Sequence, residues 1–388
     1  MSSAPGESPD QNPPPTRRSA GAGLVLPPGA GARTALISEV SGAFGDLGTF
    51  LPYVVAVLAG GILAPTPVLL GFAAGYLMVA LVYRVPISVQ PMKALGAMIV
   101  AGSLSPSEIA WAGAVLGAIL LAFSASARLG QAARAVPQSV VTGLQAGLGL
   151  ILALVAARLM SANWLLALPA LALLACSYRW PRGPWALLVI IGGACLVPAT
   201  LPGSGALVAN PTGASGLAAA ATDALPGLDR GAILAGILGQ LPLTLLNAIV
   251  VTVSVSHAAF ARARATVNER RLAATNGLMN LLLAPLGALP MCHGAGGVSA
   301  HHRFGARGIG APLLLALACA LGALAGPSVI SVLARIPMPV VGALLLFASL
   351  DLILTRRVFD ARADCRPVIA AAALVTFGGG AFFGLIAA

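Results

Sequence analysis

Apolar residues in this chain run on for roughly 18 or more positions at a time, again and again, between short polar breaks. Runs of that length predict membrane-spanning helices. The expected segments are 34–59, 66–83, 86–101, 106–125, 138–157, 162–177 and 184–200, then 231–256, 273–289, 290–302, 309–326, 337–355 and 367–387. Two of them, 86–101 and 290–302, are too short or too polar to cross a bilayer as plain helices. About twelve membrane segments are expected in an all-α polytopic membrane protein. Transmembrane strands would show short alternating segments, and none is present. Residues 1–33, with "PDQNPPPTRR", read as a disordered cytoplasmic tail. The remainder divides into a first membrane repeat (34–200), an extracytoplasmic loop (201–229) and a second repeat (230–388).

Composition sharpens the picture. The 388 residues are 58% hydrophobic and 9% charged, whereas a soluble domain carries about 25% charged residues. The net charge of +11 is almost entirely arginine, set in clusters between apolar segments. Cytoplasmic loops explain such clusters better than a nucleic-acid surface does. With the N-terminus inside, eighteen arginines fall on the cytoplasmic side, and only Arg158, Arg230 and Arg335 fall outside. The Ala- and Arg-rich composition, with a single lysine, suits a high-GC bacterial gene and so a bacterial inner membrane. The five cysteines are scattered without a CxxC and give no disulfide framework. P-loop, HExxH and GxSxG motifs are missing, so neither ATP hydrolysis nor another enzyme activity is expected, and no cofactor.

The two halves resemble one another. "SGAFGDLGTFLPYVVAVL" opens the first and "AGILGQLPLTLLNAIVVTV" the second, and each leads through a further helix to a Pro-led polar break. The breaks are "PISVQPMKALGA" and "PMCHGAGGVSA". An odd number of crossings separates the copies, so they are inverted. Inverted repeats with matching interrupted segments point to a transporter site at the midplane.

Polar residues inside the oil supply the candidate chemistry. Lys93 is the chain's only lysine, and a buried ammonium costs at least ~2.5–3.5 kcal/mol. It either snorkels to the edge beside Arg84 or faces a cavity. Pro86 and Pro91 force an extended entry. A helix starting near Pro91 would offer the N–H groups of Met92, Lys93 and Ala94 and a positive dipole end, which suits an anion. After Pro290, "CHGAGG" lets the backbone approach a ligand and expose its amides. His293 is expected to donate to that ligand or to titrate with it. A zinc site from Cys292, His293, His301 and His302 matches no closed zinc spacing. Glu39 and Asp46, seven apart, share a helix face near Thr49 and are candidates for lining or proton coupling. Gln240, Thr244 and Asn247 form a second polar face, either for the transport path or for helix–helix hydrogen bonds.

Four blocks, "GAFGDLGTFLP", "VPISVQPMKA", "LPLTLLNAIV" and "PMCHGAGGVSAHHRFGAR", together resemble the molybdate transporter family, distant relatives of the sulfate permeases. The resemblance implies an inverted-repeat fold with core and gate domains, like that of the sulfate and uracil permeases. It implies that Ser88, Gln90, Met92, Lys93 and the backbone of Cys292, His293, Gly294, Ala295, Gly296 and Gly297 surround the oxyanion between two facing half-helix starts. The expected function is secondary import of molybdate by alternating access. Sulfate, tungstate or another inorganic anion, and a passive anion channel, are the alternatives. The expected partners are the anion, the lipid bilayer and a second copy in a homodimer.

Overall fold

The computed structural model describes residues 32–126, 137–180, 185–196, 228–326, 328, 335–354, 356–359, 362 and 364–379. The tail and most of the 201–229 loop lie outside them. The first half contains α1 (Ala32–Ala59), α2 (Pro65–Tyr83), β1 (Gln90–Pro91), α3 (Lys93–Val100), α4 (Pro106–Ala125), α5 (Gln138–Met160), α6 (Trp164–Arg179) and α7 (Trp185–Leu196). The second contains α8 (Arg230–Ala259), α9 (Glu269–Leu283), β2 (Met291–Cys292), α10 (Ala295–Phe304), α11 (Gly310–Ala325), α12 (Met338–Ile353) and α13 (Arg366–Gly379). Four helices, α2, α4, α5 and α8, are long and apolar enough to cross a membrane, and several shorter apolar helices accompany them. Their outer faces carry leucines that water would not tolerate in such number: Leu165 is 83% exposed and Leu324 81%.

Local chemistry sets the helix ends. Ser105 and Glu108 form a capping box at the start of α4, with Pro106 at its first position. The second Glu108 oxygen accepts from the Asp229 backbone N–H at 2.8 Å, tying the entry of α8 to α4. Asp229 itself caps α8, accepting from Ala232 N–H at 3.1 Å. Asn163 and Asn268 cap α6 and α9 in the same way. α8 carries Pro242, followed by a π-helical stretch over Thr244–Val251. Such wide turns often mark functional segments.

The packing is reciprocal. α4 lies against α9 while α11 lies against α2; α1 lies against α10 while α8 lies against α3. These four pairs exchange under the correspondence of α1–α4 with α8–α11, as a pseudo-two-fold axis requires. Small residues permit the closest approach: Gly117 of α4 meets the α9 backbone, and Gly277 of α9 meets the α4 backbone.

Two hydrophobic bodies result. α1, α2, α3, α4, α8, α9, α10 and α11 share one apolar cluster. α5, α6, α7 and α12 share a second, with Tyr53, Val55, Ala56 and Ala59 from one face of α1. α13 rests on Gly143 and Gly147 of α5. Between the bodies runs a narrow seam built from Ala94 and Ala97 of α3, Val141 and Leu148 of α5, and Leu243 and Leu246 of α8.

Candidate functional site: the half-helix crossing

The two segments too short to cross alone meet each other. Residues 88–92 and 288–294 lead in without helix, and β1 pairs antiparallel with β2 in the register Gln90↔Cys292 and Pro91↔Met291. Met92 N–H extends the ladder to the Pro290 carbonyl at 2.9 Å. Each strand leads at once into a half-helix, so an antiparallel pair sends α3 and α10 away in opposite directions with their starts flanking the crossing.

Side chains lock this arrangement. Ser88, fully buried, donates to the Gly294 carbonyl at 2.8 Å and accepts from its N–H at 3.2 Å. Gln90 lies so close to Gly294 that a Cβ there would overlap its amide. α9 contributes two asparagines that act as an artificial strand edge for β2. Asn280 accepts from Met291 N–H at 2.9 Å and donates to its carbonyl at 2.6 Å. Asn276 accepts from His293 N–H at 3.1 Å.

His293 is placed differently from its expected role as a ligand donor. Its ring is fully buried behind the crossing. Nδ1 sits 3.2 Å from the Ser88 carbonyl, which assigns the proton to Nδ1, and Nε2 then accepts from the Thr275 hydroxyl at 2.7 Å. Thr275 is in turn 2.6 Å from the Tyr83 hydroxyl. Both ring nitrogens are therefore committed to protein. The other two histidines of this segment point to other neighbours. His301 contacts the Gly42 carbonyl at 2.8 Å, and His302 meets the Phe260 ring edge-on at 5.4 Å.

The two helix starts are unequal. On α3, the N–H groups of Ala94 and Leu95 donate to Gln240 Oε1 at 2.8 and 3.4 Å, and Gln240 Nε2 donates to Thr244 at 3.0 Å. Gln240 and Thr244 thus serve the half-helix rather than α8 alone. On α10, the N–H groups of Ala295, Gly296 and Gly297 have no protein acceptor among the described residues. A Cβ built on Gly296 would meet open space. Lys93, the first residue of α3, is half-buried and pairs with no carboxylate among the described residues. Met92, Cys292 and Gly297 are buried within the crossing, and Asn247 is half-buried on the π stretch.

Glu39 lies away from the crossing, at an arginine-rich end of the molecule. One oxygen accepts from the N–H groups of Arg307 and Gly308, at 2.8 Å each, and the other from Ala311 N–H at 2.9 Å. The carboxylate caps α11. Asp46 and Thr49 belong to α1, and their side chains lie outside the described residues. Asn276, Asn280, Thr275 and Tyr83 belong to no motif that marks them as functional in the sequence. The asparagines left a faint signal, "ATNGLMN", with two amides four apart on one helix face.

Inverted repeats, a strand crossing with a half-helix start at either end, and one of those starts left open define a class: a multi-pass membrane transporter of anions. The comparisons carry the identification further. The chain belongs to the family described as molybdate transporters of the MFS superfamily, whose profile matches residues 38–152 and 232–352. Those two spans run from α1 into α5 and from α8 into α12, one in each repeat. The chain is 28% identical over 401 residues to molybdate transporter 1 of Arabidopsis thaliana, covering 90% of this chain and 86% of that protein. It is 30% identical over 409 residues to molybdate transporter 2 of the same plant, covering 90% and 85%. Among solved structures, the transmembrane domain of a cyanobacterial bicarbonate transporter superposes with TM-score 0.65 at 16% identity, covering 91% of this chain and 96% of that one. At that identity the likeness is one of fold.

Proposed function

We propose that this chain imports molybdate by alternating access. The anion is held at the first turn of α10 with Lys93 opposite. The observation that carries the reading is the set of amides of Ala295, Gly296 and Gly297 without an acceptor among the described residues, with the chain's only lysine at the start of the other half-helix. Free helix N-terminal amides and one ammonium match a doubly negative, acceptor-only guest. Ser88, Gln90, Met92 and Cys292 form the frame that fixes this turn, and the family relatives supply molybdate as the substrate. During transport the α5–α7 and α12 body shifts along the seam against the body that holds the crossing.

Uptake of labelled molybdate into proteoliposomes, with sulfate and tungstate as competitors, tests the proposal. Saturable, concentrative uptake that excess sulfate fails to suppress is the expected result. Lys93→Ala is expected to raise KM at least about tenfold, the cost of a charge-assisted hydrogen bond, while leaving the ligand-free melting temperature equal or higher. Unsaturable flux without accumulation would establish a channel instead, and unchanged KM in Lys93→Ala would remove the lysine from the site.

A further inference from the structure

α5 carries a polar side chain that the fold does not use. Gln145 is 5% exposed, and its amide has no hydrogen-bond partner among the described residues. It lies one helical turn from both Val141 and Leu148, the two α5 residues in the seam. Across the seam stand Ala94 and Ala97 of α3, whose methyl groups reach only a short way toward α5. Ala94 follows Lys93 directly, so this face of α5 confronts the same turn of α3 that carries the lysine. The opposite face of α5 is committed to α13, against which Gly143 and Gly147 rest; Gly149, one turn beyond Gln145 on its own stripe, meets α12. The amide is not sealed off: it keeps accessible surface, on the α5 stripe that meets α3, so a ligand can reach it.

We propose that Gln145 is the contact made by the α5 body with the bound oxyanion. The inference rests on the anion site proposed above. Its Nε2–H₂ group donates to an oxygen of the tetrahedral dianion from the side opposite the α10 amides. A neutral donor adds direction without a second cation, so the anion is recognised and still released. Because Gln145 belongs to one body and Lys93 with α10 to the other, an occupied site joins the two across the seam. Occupancy thereby favours the arrangement in which the seam is closed.

The test uses purified full-length protein in lipid nanodiscs and proteoliposomes, with sodium molybdate as the probe. Gln145→Leu keeps the volume and removes the donors; Gln145→Glu replaces a donor by a negative charge. Expected for Gln145→Leu are a ligand-free melting temperature equal to or above that of the unaltered protein, about tenfold weaker molybdate binding and a matching rise in KM. Gln145→Glu is expected to lose binding. Gln145→Asn, which keeps the amide on a shorter stem, is expected to fold normally and to bind with intermediate affinity. Wild-type affinity and KM in both Gln145→Leu and Gln145→Asn would overturn the inference while leaving the anion site intact. A lowered ligand-free melting temperature in Gln145→Leu with wild-type affinity in Gln145→Asn would likewise overturn it, making Gln145 a packing residue. Failure of the unaltered protein to bind molybdate would overturn the site itself, and the inference with it.

Discussion

At the scale of single residues, the site depends on how little space one position leaves. Gly294 has ordinary extended backbone, φ −124° and ψ 120°. Conformation therefore does not demand glycine; the Gln90 amide does, since it occupies the place of a Cβ. Gly294→Ala is expected to displace the buried Gln90 amide from the crossing. Overpacking of this kind costs about 1–3 kcal/mol, so a lower melting temperature together with loss of uptake is the result to look for. Normal stability and normal uptake would show that the crossing yields without cost. His293 teaches the complementary lesson. A histidine beside three glycines in an apolar chain suggests a ligand donor, yet its nitrogens are turned to Ser88 and Thr275. Residue type and neighbourhood announced importance here, but the direction of the ring depended on α9, which lies earlier in the chain and on the far side of the crossing.

At the scale of elements, termini matter more than interiors. Both half-helices begin where an extended strand ends; Gln240 takes the Ala94 and Leu95 amides of α3, while the first amides of α10 have no acceptor among the described residues. Gln240 caps α3 from α8, and Glu39 caps α11 from α1. The Glu39 carboxylate takes three backbone donors, which makes it a helix cap. Glu39→Gln retains one acceptor oxygen and loses the charge. It is expected to cost roughly 1 kcal/mol in stability, seen as a lower melting temperature, with the KM for molybdate unchanged. A proton-coupling role would give the opposite pattern: intact stability, with loss of pH-driven accumulation. The sequence placed the ends of these elements well where capping is local. The expected 106–125 agrees with α4, because Ser105, Pro106 and Glu108 act within one turn. Agreement was poorer for 273–289. α9 starts earlier, at Glu269, because the polar first turn capped by Asn268 has no apolar signature, and it ends at Leu283 before a 3₁₀ turn at Pro285.

At the scale of the whole molecule, the reciprocal packing of the repeats and the seam between the bodies are what transport would exploit. Ala97 and Leu148, one from each side, belong to the cluster that forms that seam. A pair of cysteines at these positions, Ala97→Cys with Leu148→Cys, joined by a short bifunctional thiol reagent, is expected to stop uptake and to spare the molybdate-induced thermal shift. Uptake that continues at full rate after cross-linking would mean that the bodies do not slide there. The chain's own cysteines must first be replaced, and the buried pair Cys292 and Cys319 tolerates small apolar residues best.

Much of this protein was determined by sequence alone, because bilayer thickness and backbone hydrogen bonding leave few options to an apolar chain. The membrane class, the near positions of the spans, the inverted halves and the two interrupted segments all follow from runs of apolar residues and the prolines and glycines between them. Tertiary structure decided the rest. Whether an amide is free or taken depends on a partner far away in sequence, as Gln240 is from Ala94 and Ser88 from Gly294. The sequence marked two half-helix starts as equals; folding closed one with a glutamine and left the other open. It also brought the Val141–Leu148 stretch of α5, which includes Gln145, against Ala94 and Ala97 of α3. No local pattern encodes that encounter, because it arises only when two separately packed bodies meet.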